Sequence, residues 1–303
     1  MSVVRKLYRI INGLIRRGYW YNNVKFKDCC KFWSYNTFNT DVVNLGSTSS
    51  VCAFNYRDIP QKCANWALST NPLAGDLAIL KNYVSYLKEG ATVIIPLCPF
   101  TSLAGEYSIS EDHYYSLLYP STIPGYSIRR HNKVKSEMQS PLLIYPLLSV
   151  FSDLKHLIVK PKQKELKENE MEKDALVWMD SWKKEFSISN FSYPLSLKNQ
   201  DAINEAAKSL NEIISFCKER KLKPVLVIPP VYHTLHELFT PDIRRIIIDP
   251  LIERVEDKMA WFHNYMDDET FTNDISLFNN SFLLSEKGAM QFTKRVLVDI
   301  GII

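Results

Sequence analysis

Three adjacent hydroxyls, Ser47, Thr48 and Ser49, follow Gly46 in the stretch DVVNLGSTSS, just after a short apolar run over residues 42–45. A strand running into a Gly-Ser turn is where a parallel α/β sheet exposes reactive groups. A hydroxyl becomes a nucleophile only with an imidazole in hydrogen-bond reach, a carboxylate to orient that ring, and donors for the developing oxyanion. The chain carries histidines at 113, 131, 156, 233, 236 and 263. His233 and His236, in PPVYHTLHELF, follow another apolar strand and are expected at the carboxyl edge of the sheet, facing a ligand crevice. His-x-x-His at a helix start also suits a metal, and the same pair on a surface turn does nothing chemical, so these readings stay open. His263, in WFHNYMDDE, reads as the end of a strand, and the acidic group Asp267, Asp268, Glu269 and Asp274 as a solvated helix-capping loop.

The elements that must position these groups alternate between two periodicities. Residues 75–89 predict a helix closed by Gly90, and residues 91–100 a buried strand ended by Pro96 and Pro99. Residues 199–221 place Ala202, Ile203, Ala206, Leu210, Ile213, Ile214 and Cys217 on one helical stripe that packs on a sheet. A second buried strand follows over residues 225–228, halted by Pro229 and Pro230; residues 242–259 then predict a helix with Pro250 inside, and residues 261–266 a last short strand. Residues 24–32 read as an edge segment and residues 61–68 as a short strand or turn. The final helix runs from its N-cap Ser285 to Asp299. Buried strands alternating with amphipathic helices imply an α/β fold, a three-layer α/β/α sandwich with a mostly parallel central sheet. Residues 36–303 are expected to form this domain, interrupted by a lid-like irregular insertion over about 101–185 in which the charged run 160–173 is a solvated helix or linker.

Apolar residues make up 46% of 303, ample for a large core, while a formal charge of +4 is too small to point to nucleic acid. Six cysteines without Cys-x-x-Cys spacing read as reduced, small apolar residues in a cytoplasmic chain, with no metal site among them. No apolar run approaches the ~20 residues of a spanning helix. Residues 1–35 hold a basic amphipathic helix with Val4, Leu7, Ile10, Ile11, Leu14 and Ile15 at helical spacing and Arg5, Lys6, Arg9, Arg16 and Arg17 around them. Its arginines and the lack of a cleavage site argue against a signal peptide. Two readings stay open: a helix docked on its own domain, or a peripheral contact of residues 1–20 with the inner membrane, Tyr19, Trp20 and Tyr21 lying at the interface.

NLGSTSSVCAFNY after the first strand, ALSTNPLAGDLAILKNYVSYLKEGATVIIP, KPVLVIPPVY, and LFNNSFLLSEKGAMQFTK at the last helix together resemble the SGNH/GDSL hydrolase superfamily, over most of residues 40–299. The likeness is to the branch associated with bacterial surface-polysaccharide loci, those of O-antigen and capsule. It implies a flavodoxin-like sheet, no cofactor, a nucleophile after the first strand and an Asp-x-x-His pair in the tail. The strand-end motif, anchored on Gly46, puts the nucleophile on Thr48, flanked by Ser47 and Ser49. The tail pattern D-x-x-H-L-x-x-x-G-A, aligned on Leu284, Gly288 and Ala289, puts the aspartate on Asn280 and the histidine on Leu283. Leucine accepts no proton and asparagine carries no charge, so the standard dyad is absent, which removes ~10²–10⁴-fold in rate through the general base alone.

The family's oxyanion asparagine would fall near residues 96–100, where none stands. Asn71, in ALSTNP, is the neighbouring donor, with an Asn-Pro turn as its other reading. Gly46, Asn71, Pro230 and Tyr232 are the expected ligand-binding residues. The resemblance leaves two functions: a degenerate member that binds a glycan, a lipid-linked sugar precursor or a biosynthetic partner, or an O-acetyltransferase or esterase with His233 or His236 as an irregular base. The missing imidazole favours the first.

Overall fold

In the computed structural model, residues 3–104, 112–123, 125–147, 149–158, 167–188, 191, 195–257 and 261–303 are described. They fall into two compact units, one of residues 1–35 and 110–165 and one of residues 36–109 and 166–303. Residues 1–35, read from the sequence as a segment of their own, thus group with part of the expected insertion, and its last portion groups with the sheet.

The first unit is helical: α1 (Val3–Arg17), α2 (Lys27–Tyr35), and later in the chain α5 (Asp112–Leu117), α6 (Ile128–Gln139) and α7 (Ser149–Ile158). The edge segment expected at residues 24–32 is instead a π-helical turn, Tyr21–Lys25, leading into α2. Phe26, Cys29 and Phe32 are buried three residues apart, a helical period that outweighs the β-forming side chains around them. Trp20 and Tyr21, which one of the two readings of residues 1–20 put at a lipid interface, are buried: Trp20 packs edge-on against Tyr145 and donates its backbone N–H to Asp153 Oδ1 at 2.7 Å.

The second unit holds a sheet of β1 (Thr40–Asn44), β2 (Cys63–Asn65), β3 (Leu87–Pro96), β4 (Lys223–Ile228) and β5 (Trp261–Asn264). All pairings are parallel in the order β2-β1-β3-β4-β5, the flavodoxin-like doubly wound order. Helices α3 (Thr48–Ala53) and α4 (Leu73–Tyr83) follow the first two strands; α8 (Glu168–Glu185) and α9 (Leu197–Glu219) precede β4. After β4 come α10 (His233–His236), α11 (Pro241–Ile247) and α12 (Asp249–Glu253), and after β5 α13 (Glu269–Thr272) and α14 (Glu286–Asp299).

Because α3 packs with α14 and α4 with α9, the sheet is covered on both faces, and this is the three-layer α/β/α sandwich. Val42, Ile94, Val225 and Val227 meet Phe54, Phe292 and Val296 in one core. The alternate residues Val43, Val93, Ile95 and Leu226, also buried, project by strand alternation to the opposite face, where α9 buries its predicted stripe.

Local differences from the sequence reading have identifiable causes. The helix expected to run to Gly90 ends at Tyr83, and Gly90 lies inside β3 with φ +79°, where the β1–β3 register shifts; its freedom serves a strand irregularity, not a helix cap. Pro250 starts α12 instead of sitting within one long helix, since it has no N–H for an internal bond; Met259 and the charged residues 159–166 lie outside the described residues. The tail behaves as its pattern implies: Ser285 Oγ accepts the Gly288 N–H at 3.2 Å, and a Cβ on Gly288 would run into the Leu277 carbonyl oxygen. Gly288→Ala is therefore expected to cost ~1–3 kcal/mol by overpacking, and Ser285→Ala about 1 kcal/mol through the lost cap. Urea midpoints check both, and an unshifted midpoint for Gly288→Ala would contradict this seating of α14.

Candidate functional site

The carboxyl ends of β1, β3 and β4 converge on the turn that starts at Gly46. Gly46 has φ +112°, and its N–H donates to Asp76 Oδ1 at 2.8 Å. The same oxygen accepts from Asn71 Nδ2 at 2.5 Å, and the Gly46 carbonyl accepts the Leu68 N–H at 3.1 Å. A side chain at Gly46 would strike Ser50 Oγ as well as strain the backbone, so glycine is required here. Asn71 is buried in this clamp, with its amide turned to Asp76 and the Gly46 carbonyl; it acts on the turn, not as a donor aimed into open space. Asp76 is 1% exposed, and burial pushes its carboxyl up to about 8 against the opposing hydrogen bonds from Gly46 and Asn71.

The three hydroxyls have different surroundings. Ser47 occupies the N-cap of α3 without a side-chain capping bond. Thr48 Oγ1 accepts the Thr70 N–H at 3.2 Å. Ser49 lines a small cleft with Cys98, Pro99, Pro230, Phe282 and Leu284. Among the described residues the cleft lining contains no histidine, carboxylate, lysine or arginine. Burial raises the Cys98 thiol, which therefore stays protonated near neutral pH and is no thiolate nucleophile. A larger groove follows the outside of α9 past Lys81, Lys208 and Arg254, on the helical layer and not at the strand ends where the hydroxyls stand.

The tail loop closes the cleft with apolar groups. Asn280 Oδ1 accepts the N–H groups of Phe282 at 3.0 Å and Leu283 at 2.7 Å, so this side chain, at the position aligned with the family aspartate, shapes a turn. Leu283 itself is half-buried, and its neighbours Phe282 and Leu284 reach the cleft. Ser281 is held from the other side, its N–H and hydroxyl both donating to Asp174 Oδ2 at 2.9 and 2.5 Å.

His233 and His236 turn toward separate carboxylates. His233 Nε2 lies 2.8 Å from Glu168 Oε1, and Tyr232 donates its hydroxyl to Glu168 Oε2 at 2.6 Å. His236 Nε2 lies 2.8 Å from Asp267 Oδ1 and 2.9 Å from Arg244 Nη2, and a neutral ring nitrogen serves only one of these partners at a time. Burial pushes the Asp267 carboxyl up, but hydrogen bonds from His236 and Arg244 outweigh it and hold the group below its ordinary range. The pair thus does not share a ligand position, and among the described residues no three His, Cys, Asp or Glu side chains form a metal cluster. Tyr232 is buried with its hydroxyl committed to Glu168, whereas Pro230 does line the cleft. Asp268 and Asp274 cap short helices by accepting the Thr270 and Ser276 N–H groups.

The groups that sequence reasoning missed are buried polar ones beneath the turn. Asn44 Nδ2 donates to Asn65 Oδ1 at 2.9 Å, Tyr56 donates its hydroxyl to Asn44 Oδ1 at 3.1 Å, and Asn65 Nδ2 reaches the Phe54 carbonyl at 3.1 Å, tying the ends of β1 and β2 to the end of α3. The available signal was an asparagine closing each of two apolar strands, DVVN and CAN, where a buried amide must find partners.

No family model matches the sequence, and no curated protein matches it. Among solved structures, one from Streptococcus pneumonia, provisionally described as a platelet activating factor, is similar at 12% identity with a TM-score of 0.42, over 99% of each chain.

The clamp has a pH signature. Between the unfolded carboxyl's range near 4 and about 8 the folded chain holds the Asp76 proton that the unfolded chain has lost. Stability from this group is therefore complete below about 4 and declines as pH rises toward 8, by on the order of 1 kcal/mol per pH unit. Asp76→Asn, which keeps an oxygen acceptor for Gly46, is expected to flatten that decline in urea unfolding followed across pH 5–8. An unaltered slope in the variant would assign the effect to other groups.

Proposed function

We propose that the chain is an SGNH-like protein of bacterial surface-polysaccharide biosynthesis that binds a glycan precursor or a biosynthetic partner at the cleft beside Ser49, without standard triad hydrolysis. One observation carries this reading: the cleft reached by a hydroxyl from the Gly46 turn is lined by prolines, Cys98, Phe282 and Leu284, with no imidazole among the described residues that line it. The two histidines that could replace the base, each beside a carboxylate, are not among the described residues that line the cleft. Without a proton acceptor the hydroxyl remains a weak nucleophile, and a lost base removes ~10²–10⁴-fold in rate. The recess itself is narrow, with about 10 Å³ of free space, so a glycan would lie across its apolar mouth, beside the Ser49 hydroxyl, and not enter it.

Intact-mass spectrometry after incubation with a fluorophosphonate and with p-nitrophenyl acetate tests the absence of turnover. The expected result is no adduct on Ser47, Thr48 or Ser49. An adduct lost in Ser49→Ala or Thr48→Ala would overturn the reading in favour of an O-acetyltransferase or esterase. Binding is tested by saturation-transfer NMR with acetylated and unacetylated hexosamine oligosaccharides. Acetyl-group transfer is expected to weaken in Phe282→Ala, which opens one wall of the cleft; transfer equal in the two proteins would move the ligand elsewhere.

A further inference from the structure

Among the described residues of the first unit, two helices carry exposed apolar faces. On α1, Val3, Val4, Leu7, Ile10 and Leu14 fall on one arc and are exposed, Leu7 to 55% and Leu14 to 62%. This arc is not the face by which α1 docks: its buried residues are Asn12 and Ile15, on an adjoining arc, and Asn12 Oδ1 accepts the Leu142 N–H at 2.9 Å. On α7, Val150, Phe151, Leu154 and Ile158 form a second exposed arc, with Phe151 at 71% and Ile158 at 82%. Asp153, on the other side of α7, fixes that helix by accepting the Trp20 N–H at 2.7 Å and the Tyr145 hydroxyl at 2.6 Å. Helix α1 is thus seated by Asn12 and Ile15 and α7 is tied down through Asp153, while the larger apolar arcs of both face solvent.

The charge of α1 and of the unit as a whole favours an anionic partner for these arcs. Helix α1 carries Arg5, Lys6, Arg9, Arg16 and Arg17 and no acidic residue. The first unit as a whole holds 16 Lys and Arg against 6 Asp and Glu, a net +10, whereas the sheet unit holds 21 against 27, a net −6. The small charge of the full chain, +4, conceals this division. The apolar arc of α1, with a basic face opposite it, matches an interfacial helix lying in the headgroup region of an anionic bilayer; α7 adds apolar surface without a basic face of its own. A second copy of the same unit would bring +10 against +10, which disfavours self-association through this surface. Among the described residues no helix is long and apolar enough to cross a membrane, so the contact is with a surface.

We propose that the helical unit of residues 1–35 and 110–165 docks on an anionic lipid bilayer through the exposed apolar arcs of α1 and α7. The inference is independent of what the cleft beside Ser49 binds, and a cleft that binds nothing would leave it intact.

Co-sedimentation of the full chain with vesicles tests it. Retention is expected on phosphatidylcholine vesicles containing phosphatidylglycerol, little on phosphatidylcholine alone, and a marked loss of retention in high salt, since surface attraction is screened. Neutralising Lys6→Gln with Arg17→Gln should lower the partition coefficient roughly thirtyfold. Leu7→Glu with Leu14→Glu, and separately Phe151→Glu with Ile158→Glu, should abolish retention. All these side chains are exposed, so the thermal midpoint by circular dichroism should not move. Equal retention on neutral and anionic vesicles, or full retention by the Leu7→Glu, Leu14→Glu protein, would overturn the proposal. So would a dimer in solution that is lost in that variant while no vesicle retains the wild-type chain.

Discussion

The candidate site depends on one buried carboxyl. Asp76 Oδ1 receives the N–H of Gly46 and the amide of Asn71 in a place 1% exposed, and through them it fixes the direction in which the chain leaves β1. A buried polar group without partners costs several times what a hydrogen bond contributes in water, so the three residues stand or fall together. Gly46 must lack a side chain because Ser50 lies against it, and α3 can then begin at Thr48 with Ser49 turned toward the cleft. The Asn44–Asn65–Tyr56 network does the same below the turn, holding the ends of two strands at one height.

This scaffold is an α/β sheet whose first strand ends in a hydroxyl cluster beside a narrow, mostly apolar recess. The tail loop delivers Phe282 and Leu284, and Asn280 spends its oxygen on two backbone N–H groups of its own turn. His233 and His236 lie beside Glu168 and Asp267, and neither is among the described residues that line the cleft. The result is a narrow recess organised by hydrogen bonds in its walls and lined mostly by apolar groups. The helical unit adds a separate surface of opposite character, strongly basic and openly apolar, so the two units of the chain differ in charge as well as in architecture.

Much of the sheet unit was legible from residue types. The buried strands at β3 and β4, the stripe of α9 and the Ser285 cap follow from apolar periodicity and local turn chemistry, which act over a few residues. Residues 24–32 were misread because Phe26, Cys29 and Phe32 are also compatible with an extended segment until a partner surface selects the three-residue period. Gly90 was misread because positive φ serves helix caps and strand irregularities equally well, and only the pairing of β1 with β3 distinguishes them.

By itself the sequence determined the α/β class, the hydroxyl cluster after Gly46, and the absence of a histidine at Leu283, since these rest on local period and on which side chains exist at all. The tertiary structure alone decided which hydroxyl meets the cleft, that Asn71 serves Asp76, that His233 and His236 part toward different carboxylates, and that α1 docks by Asn12 and Ile15 while its apolar arc stays open. Those are contacts between residues far apart in the chain. Their geometry is set by how helices and strands pack, a quantity that no local pattern contains.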